Sequence, residues 1–209
     1  MILITGATGK TGTEVATQLA AAGVPFRALV RNPDKADSLR RVATEVVIGD
    51  LADAKFLRQA LAGVDKALLI LPNNENQLEL ENQFTDCAAA AGVRHLVKLS
   101  SLESVPGTTN PITRMHVGSE THIRGSGLAW TMIRPTFFMQ SFLGSAPRIR
   151  ERAEIAMPAG KGTVATTDLR DVGAVIKLVL TTAGHANQSY DLTGPELLTL
   201  AEIAERFSR

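Results

Sequence analysis

Short apolar runs alternate with longer stretches of helical periodicity along most of the chain. Such alternation is typical of repeated β-α-β units around a parallel sheet. The apolar runs predict six strands, which are Ile2–Thr5, Phe26–Arg31, Glu45–Ile48, Ala67–Leu71, His95–Ser100 and Trp130–Arg134. We therefore predict an α/β fold built on a doubly wound parallel sheet.

Helices are expected between the strands. The first, Thr11–Ala22, begins with a capping-box pair, Thr11 and Glu14, and ends before a glycine. Similar signals predict helices over Asp53–Leu61, Asn76–Ala91, Asp171–Thr181 and Thr199–Arg209. The last of these starts with a second capping-box pair, Thr199 and Glu202. These segments are long enough to serve as crossovers between parallel strands.

The regular alternation weakens after Arg134. We predict a single domain over residues 1–209, in which residues from about 138 to 209 contribute a small lobe on the substrate side. The sequence leaves open whether this C-terminal lobe is complete or truncated.

A glycine-rich loop follows the first predicted strand and precedes the first helix. The segment ILITGATGKTG places Gly6, Gly9 and Gly12 at the spacing G-x-x-G-x-x-G. Gly6 permits a tight turn, Gly9 lets backbone amides approach a pyrophosphate, and Gly12 lets helix and sheet pack closely. A purely structural turn is the alternative. The context favours a dinucleotide-binding domain of the Rossmann type, whose phosphate loop is Gly6, Ala7, Thr8, Gly9, Lys10, Thr11 and Gly12.

The residues after the second and third strands predict the choice of nucleotide. NAD-binding domains place an acidic residue about 20 residues after the glycine loop, where it binds the ribose hydroxyls. This chain has Arg31 there, and Lys35 follows in the segment RNPDK. Two positive charges suit a 2′-phosphate and predict NADP(H), although a solvated pair at a strand end is the alternative. Asp50 and Leu51 are expected at the adenine, with a helix cap as the other interpretation of Asp50.

Composition excludes several other classes of protein. The 22 basic and 21 acidic residues nearly cancel, to a formal net charge of +1, and no basic cluster suggests nucleic-acid binding. Cys87 is the only cysteine, so neither an intramolecular disulfide nor a cysteine-based metal cluster is expected. No apolar run approaches the roughly 18 residues that span a membrane. We expect a cytoplasmic protein without a metal site or a membrane segment.

Several segments together resemble the NmrA-like branch of the atypical short-chain dehydrogenase/reductases. They are TGATGKTG, RNP, GDL, LSS and TMIRPTFFMQ, and the resemblance extends from Met1 to about Thr199. The family includes NADPH-dependent quinone reductases, triphenylmethane-dye reductases and NADP-sensing regulators that catalyse nothing. The resemblance implies a Rossmann fold and NADP(H) as cofactor. It further implies that the nicotinamide is flanked by Leu71, Pro72, Asn73, Ser100, Pro135, Thr136 and Phe137.

The tyrosine-based mechanism of ordinary short-chain dehydrogenases does not fit this sequence. That mechanism needs a Tyr-x-x-x-Lys pair, and the only tyrosine, Tyr190, is followed four positions later by Gly194. Where relatives carry H-x-x-x-E or K-x-x-x-E, this chain has His116 and Glu120 on one helix face. His116 is the catalytic candidate, because a histidine that titrates near neutrality can protonate or position a reduced quinone. The alternative is a histidine that is bonded to its helix neighbour and has no chemical role.

Two features around the end of the sixth strand are interpreted structurally. We expect Arg134 to hold its loop through backbone carbonyls. The cluster of Phe137, Phe138, Met139 and Phe142 is interpreted as core or lid packing, with ligand binding as the alternative.

These features predict an NADPH-dependent oxidoreductase that reduces a quinone-like or other planar acceptor by direct hydride transfer. The alternative from a different class is a redox sensor, which binds NADP(H) and acts on a protein partner. A sugar-nucleotide epimerase is disfavoured, because its chemistry relies on the missing tyrosine. The expected partner is the small-molecule acceptor, and the sequence leaves a homodimer or a protein partner open.

Overall fold

The computed structural model describes residues 1–155, 157 and 160–208. The strands in these ranges are β1 (Ile2–Ile4), β2 (Phe26–Val30), β3 (Glu45–Ile48), β4 (Lys66–Leu69), β5 (His95–Leu99), β6 (Ala129–Pro135), β7 (Thr163–Val164), β8 (Gln188–Leu192) and β9 (Leu198–Thr199). Seven strands form one parallel sheet in the order β3-β2-β1-β4-β5-β6-β8, while β7 and β9 pair antiparallel. The predicted fold class is confirmed.

Helices cover both faces of this sheet. They are α1 (Lys10–Ala21), α2 (Ala36–Arg40), α3 (Ala54–Ala60), α4 (Gln77–Ala90), α5 (Pro111–Gly125), α6 (Ala146–Arg152), α7 (Leu169–Thr181) and α8 (Leu200–Phe207). One apolar layer contains side chains from α1 and α7, and the other contains side chains from α3, α4 and α5. Along β1, Ile2 and Ile4 join the first layer and Leu3 the second. Complete burial of one large apolar side chain of this kind stabilises the fold by about 1.5–3 kcal/mol.

The seventh strand of the sheet, β8, is not among the predicted strands. Its sequence, QSYDL, is largely polar because β8 lies at the edge of the sheet and is partly exposed. Residues after 138 therefore do not all form a lobe, since α7 and β8 belong to the central layers. Other residues of this region, Phe142 together with parts of β7 and α8, line a small apolar cavity of about 230 Å³.

The start of α1 differs from the prediction. Gly9 is the N-cap residue, no side chain caps the helix, and Thr11 lies inside its first turn. The predicted capping box of Thr11 and Glu14 is wrong, because the helix begins directly in the glycine loop. The second predicted capping box, Thr199 with Glu202, is present at α8. The predicted end of that helix, Arg209, lies outside the described residues.

We expect Gly12→Ala to destabilise the protein, because a Cβ there would lie 2.2 Å from the Gly6 carbonyl oxygen. Overpacking of this kind costs about 1–3 kcal/mol. The matched control is Gly125→Ala in α5, where a Cβ meets no atom within 4 Å and the change improves helix propensity. Urea unfolding measures both variants, and equal midpoints would contradict the prediction.

Candidate functional site

A cleft of about 900 Å³ opens at the carboxyl ends of the parallel strands. Its walls include residues that directly follow β1, β2, β4, β5 and β6. From β1 the chain proceeds outward through β2 and β3, and it then returns to β4 on the other side of β1. Doubly wound sheets bind ligands at such a reversal of strand order.

The cleft brings together nearly all the residues predicted for the site. Those that line it are Gly6, Thr8, Gly9, Lys10, Thr11, Gly12, Arg31, Lys35, Asp50, Leu51, Leu71, Pro72, Asn73, Ser100, His116, Pro135, Thr136 and Phe137. Ala7 is the exception, because its side chain is fully buried in the apolar core. The Ala7 carbonyl instead accepts a hydrogen bond from Thr13 Oγ1 at 3.2 Å.

The glycine loop has the geometry of a phosphate-binding turn. Gly6 adopts a φ of 60°, and a Cβ there would lie 2.7 Å from the Ile70 carbonyl oxygen. A Cβ on Gly9, by contrast, would meet one backbone atom, at 3.3 Å. The first turn of α1 has neither a side-chain cap nor an acidic residue. The positive end of the helix is therefore available to an anion, and the loop fits a dinucleotide.

Arg31 and Lys35 lie four residues apart in the sequence, and both line the cleft and are exposed. Between them the Asn32 side chain accepts from the Asp34 amide at 2.9 Å and caps a short 3₁₀ turn, Pro33–Lys35. Because of this turn, Arg31 and Lys35 both line the cleft that the glycine loop also lines.

Asp50 and Leu51 line the same end of the cleft. Asp50 Oδ1 accepts from the Ala52 amide at 2.9 Å, whereas Asp53 caps α3 by accepting from two backbone amides. The interpretation of Asp50 as the helix cap is wrong, because Asp53 occupies the N-cap position.

Glu120 organises the wall between β5 and β6. It is almost fully buried and accepts from Ser100 Oγ at 2.6 Å and from Arg134 Nε at 2.9 Å, with a second bond from Arg134 Nη2. Although burial would raise the pKa of Glu120, the hydrogen bonds from Arg134 and Ser100 hold it below its ordinary value. Arg134 thus binds a carboxylate, and its expected role on backbone carbonyls is corrected.

His116 lines the cleft, but it is not bonded to Glu120. Its Nδ1 lies 3.2 Å from Lys98 Nζ and 3.3 Å from Gln77 Nε2, and its side chain is 5% exposed. Burial and the nearby charge of Lys98 lower the pKa of His116 to about 4. His116 is consequently neutral near pH 7, and the expectation that it titrates near neutrality is wrong.

Sequence reasoning missed the buried group behind His116. Lys98 Nζ lies 2.7 Å from both carboxylate oxygens of Glu81, and both side chains are excluded from solvent. Gln77 Nε2 donates to Glu81 Oε1 at 3.2 Å. The one available signal was a lysine between the apolar residues Val97 and Leu99 of the predicted strand HLVKL.

The aromatic residues after β6 divide between packing and the cleft. Phe137 and Phe138 line the cleft, while Phe142 is buried and makes an edge-to-face contact with Phe137 at 5.5 Å between ring centroids. Tyr190 lies in β8, where its hydroxyl is 2.8 Å from His185 Nδ1, and it is not part of the cleft wall. The cluster therefore contributes to packing through Phe142 and to the cleft wall through Phe137 and Phe138.

Residues 1–155, 157 and 160–208 contain neither a cluster of metal ligands nor a membrane-spanning helix. No group of three or more histidine, cysteine, aspartate or glutamate side chains there could hold a metal ion. Likewise, no helix in those ranges has both the length and the apolar character needed to cross a membrane.

Comparison with known proteins agrees with this geometry. NAD(P)H azoreductase of Xenophilus azovorans is 39% identical over 208 residues, which are 100% of this chain and 73% of that protein. Quinone oxidoreductase 2 of Escherichia coli is 33% identical over 215 residues, covering 100% and 74%. The crystal structure of Citrobacter sp. triphenylmethane reductase with NADP(H) superposes with a TM-score of 0.89, at 28% identity, covering 99% of this chain and 74% of that one.

The family model described as NAD(P)H-binding matches residues 6–183. Together with the relatives, this match confirms the expected nicotinamide dinucleotide cofactor and the oxidoreductase class. The chain belongs to the NAD(P)H-binding family.

Proposed function

We propose that this protein reduces a quinone-like or other planar acceptor with NADPH. One observation carries the proposal: a single continuous cleft extends from the glycine loop and Arg31 to His116. The relatives named azoreductase, quinone oxidoreductase and triphenylmethane reductase support an extended planar acceptor.

The nucleotide end of the cleft is built to bind negative charge. When bound, NADPH supplies the hydride. The Gly6–Gly12 loop and the first turn of α1 bind the pyrophosphate through backbone amides, and Arg31 and Lys35 bind the 2′-phosphate. Asp50 and Leu51 contact the adenine. Thus the chain's contribution at this end is to bind and orient the cofactor.

The acceptor end offers apolar walls and one hydrogen-bond donor. Leu71, Pro72 and Phe137, which are expected to flank the nicotinamide, line the cleft and would exclude water from a flat ring beside it. His116, being neutral, donates a hydrogen bond to a carbonyl oxygen or an azo nitrogen of the acceptor and so orients the acceptor. The residues from 138 onward add to the cleft wall through Phe138 and Ser141.

The surroundings of the reaction are also part of the proposal. We place the protein in the cytoplasm, because Cys87, the only cysteine, is buried and the reductant is NADPH. The small-molecule acceptor is its partner. A homodimer stays open and is tested by sedimentation of the purified protein, and a protein partner stays open as well.

Turnover decides the proposal. The purified protein is mixed with NADPH and a panel of quinones, azo dyes and triphenylmethane dyes, and the loss of NADPH absorbance is followed. Reduction of at least one planar acceptor is expected. A redox sensor would instead bind both cofactor forms, consume no NADPH, and differ between the two forms in its effect on a protein partner.

We expect Arg31→Asp to reverse the preference for NADPH over NADH. A hydrogen bond between charged groups at the 2′-phosphate contributes about 1.5–3 kcal/mol, or roughly ten- to a hundredfold in affinity. Titration with both cofactors measures the effect. Arg41→Asp, the same charge change at an exposed position outside the cleft wall, is the control. Equal native affinity for NADH and NADPH would remove the assignment.

We expect Gly9→Val to abolish dinucleotide binding in a protein that remains folded. A Cβ at Gly9 would make one close contact, 3.3 Å to the Gly6 carbonyl oxygen, which a small shift relieves, but a β-branched side chain would fill the path by which phosphates reach the amides. Circular dichroism reports the fold and equilibrium titration the binding. Unchanged affinity in a folded variant would place the phosphate site elsewhere.

We expect His116→Ala to lower kcat for quinone reduction by about ten- to a hundredfold without changing NADPH affinity. Because its pKa is near 4, His116 stays neutral between about pH 5.5 and 8, so its contribution does not vary there. An ordinary imidazolium acid would lose activity as the pH rises through about 6.5. The control is His122→Ala on the same helix, where His122 bonds to Asp86 outside the cleft wall. Unchanged turnover would remove His116 from the site.

A further inference from the structure

The Lys98–Glu81 ion pair is almost completely excluded from solvent. Lys98 is 0% exposed and lies in β5, an interior strand of the sheet, and Glu81 on α4 is 1% exposed. Burying two charges costs free energy that their mutual attraction only partly offsets, and an apolar pair of similar volume is often as stable. Lys98 also contacts His116, so the ion pair can influence the state of that histidine.

Two donors converge on one nitrogen of His116. The Lys98 ammonium can only donate, and its Nζ lies 3.2 Å from His116 Nδ1. Gln77 Nε2 lies 3.3 Å from the same atom. The orientation of the Gln77 amide is fixed because Nε2 also donates to Glu81, whose carboxylate can only accept. Nδ1 must therefore carry a lone pair, and the ring proton is on Nε2.

We propose that Lys98 is a positioning residue: held on Glu81, it donates to Nδ1 and fixes His116 as the tautomer that carries its proton on Nε2. Nδ1 is occupied by the buried group, so Nε2 is the ring nitrogen left for an acceptor in the cleft. His116 thereby offers a hydrogen-bond donor to a carbonyl oxygen or azo nitrogen. The proposal rests on the proposed function, since it explains how His116 serves the reduction.

The charged groups around His116 act in opposite directions on its protonation. Lys98 on β5 disfavours the imidazolium, whereas Glu81 on α4 and Glu120 on α5 favour it, and burial is the largest influence. Burial also lowers the pKa of Lys98 itself, against the opposing effect of Glu81. The geometry alone fixes the tautomer, and these influences keep the ring neutral.

The first experiment observes the tautomer in the whole protein by ¹⁵N NMR near neutral pH. The spectrum of His116→Gln identifies the His116 signals among those of the four histidines. We expect the native proton on Nε2. In Lys98→Met/Glu81→Met, which removes both charges so that neither is left unpaired, we expect a mixture of tautomers. A native proton on Nδ1, or an unchanged tautomer in the double variant, would overturn the proposal.

The second experiment measures quinone reduction in a mutant cycle. With saturating NADPH, Lys98→Met/Glu81→Met should lower kcat about tenfold when His116 is present, and less than about twofold in a His116→Gln background. A merely structural effect would lower both backgrounds equally, which would overturn the proposal. Absence of turnover in the native protein would overturn the proposed function as well, whereas normal turnover with the wrong tautomer removes Lys98 alone.

Discussion

The cleft depends on how β1 and β4 are held together where the chain leaves them in opposite directions. Thr5 Oγ1 donates to the Ile70 carbonyl at 3.0 Å and accepts from the Ile70 amide at 2.8 Å. Gly6 then turns against that carbonyl, and Gly12 lets α1 pack onto Gly6. Because the backbones touch, the loop cannot move outward without losing the packing of α1. The same contact therefore fixes both the core and the mouth of the site.

Two buried carboxylates arrange the opposite end of the cleft. Glu81 binds Lys98 and Glu120 binds Arg134, so each carboxylate on a helix is joined to a cation on a strand. Such pairs are weak sources of stability, since their desolvation offsets most of the attraction. The two ion pairs nevertheless fix the positions of helices α4 and α5 relative to strands β5 and β6. His116 lies on α5 and contacts Lys98, so the two ion pairs also fix its position.

The fold could be predicted where burial determines the sequence. Strands β1, β4 and β5 are covered on both faces, so each is a nearly continuous apolar run. β8 escaped prediction because an edge strand can be polar. The capping box at Thr11 and Glu14 failed because that rule considers the helix alone, whereas here the turn at Gly9 starts the helix.

The residues of the site also differ in whether local sequence or contacts between distant segments determine them. The glycine loop and Arg31 each directly follow or lie close after a strand, so their spacing was enough to predict that they line the cleft. The state of His116 depends on Lys98 and Gln77, which stand on β5 and α4 and meet it only in the folded chain. Periodicity says which face of a helix is buried, but it does not say which polar groups meet there.

The charges of the cleft explain why one site can take two unlike ligands. At the nucleotide end, Lys10, Arg31 and Lys35 are exposed cations on the wall, and they suit a polyanion. Near His116 the cations are already paired, because Lys98 and Arg134 are each bound to a glutamate. Among the described residues that line the cleft, those at this end therefore include no lysine or arginine, and they present apolar surface and hydrogen-bonding groups. The proposed planar acceptor, being neutral, would not compete there for the phosphate contacts, and it would meet the nicotinamide at the ends of β5 and β6.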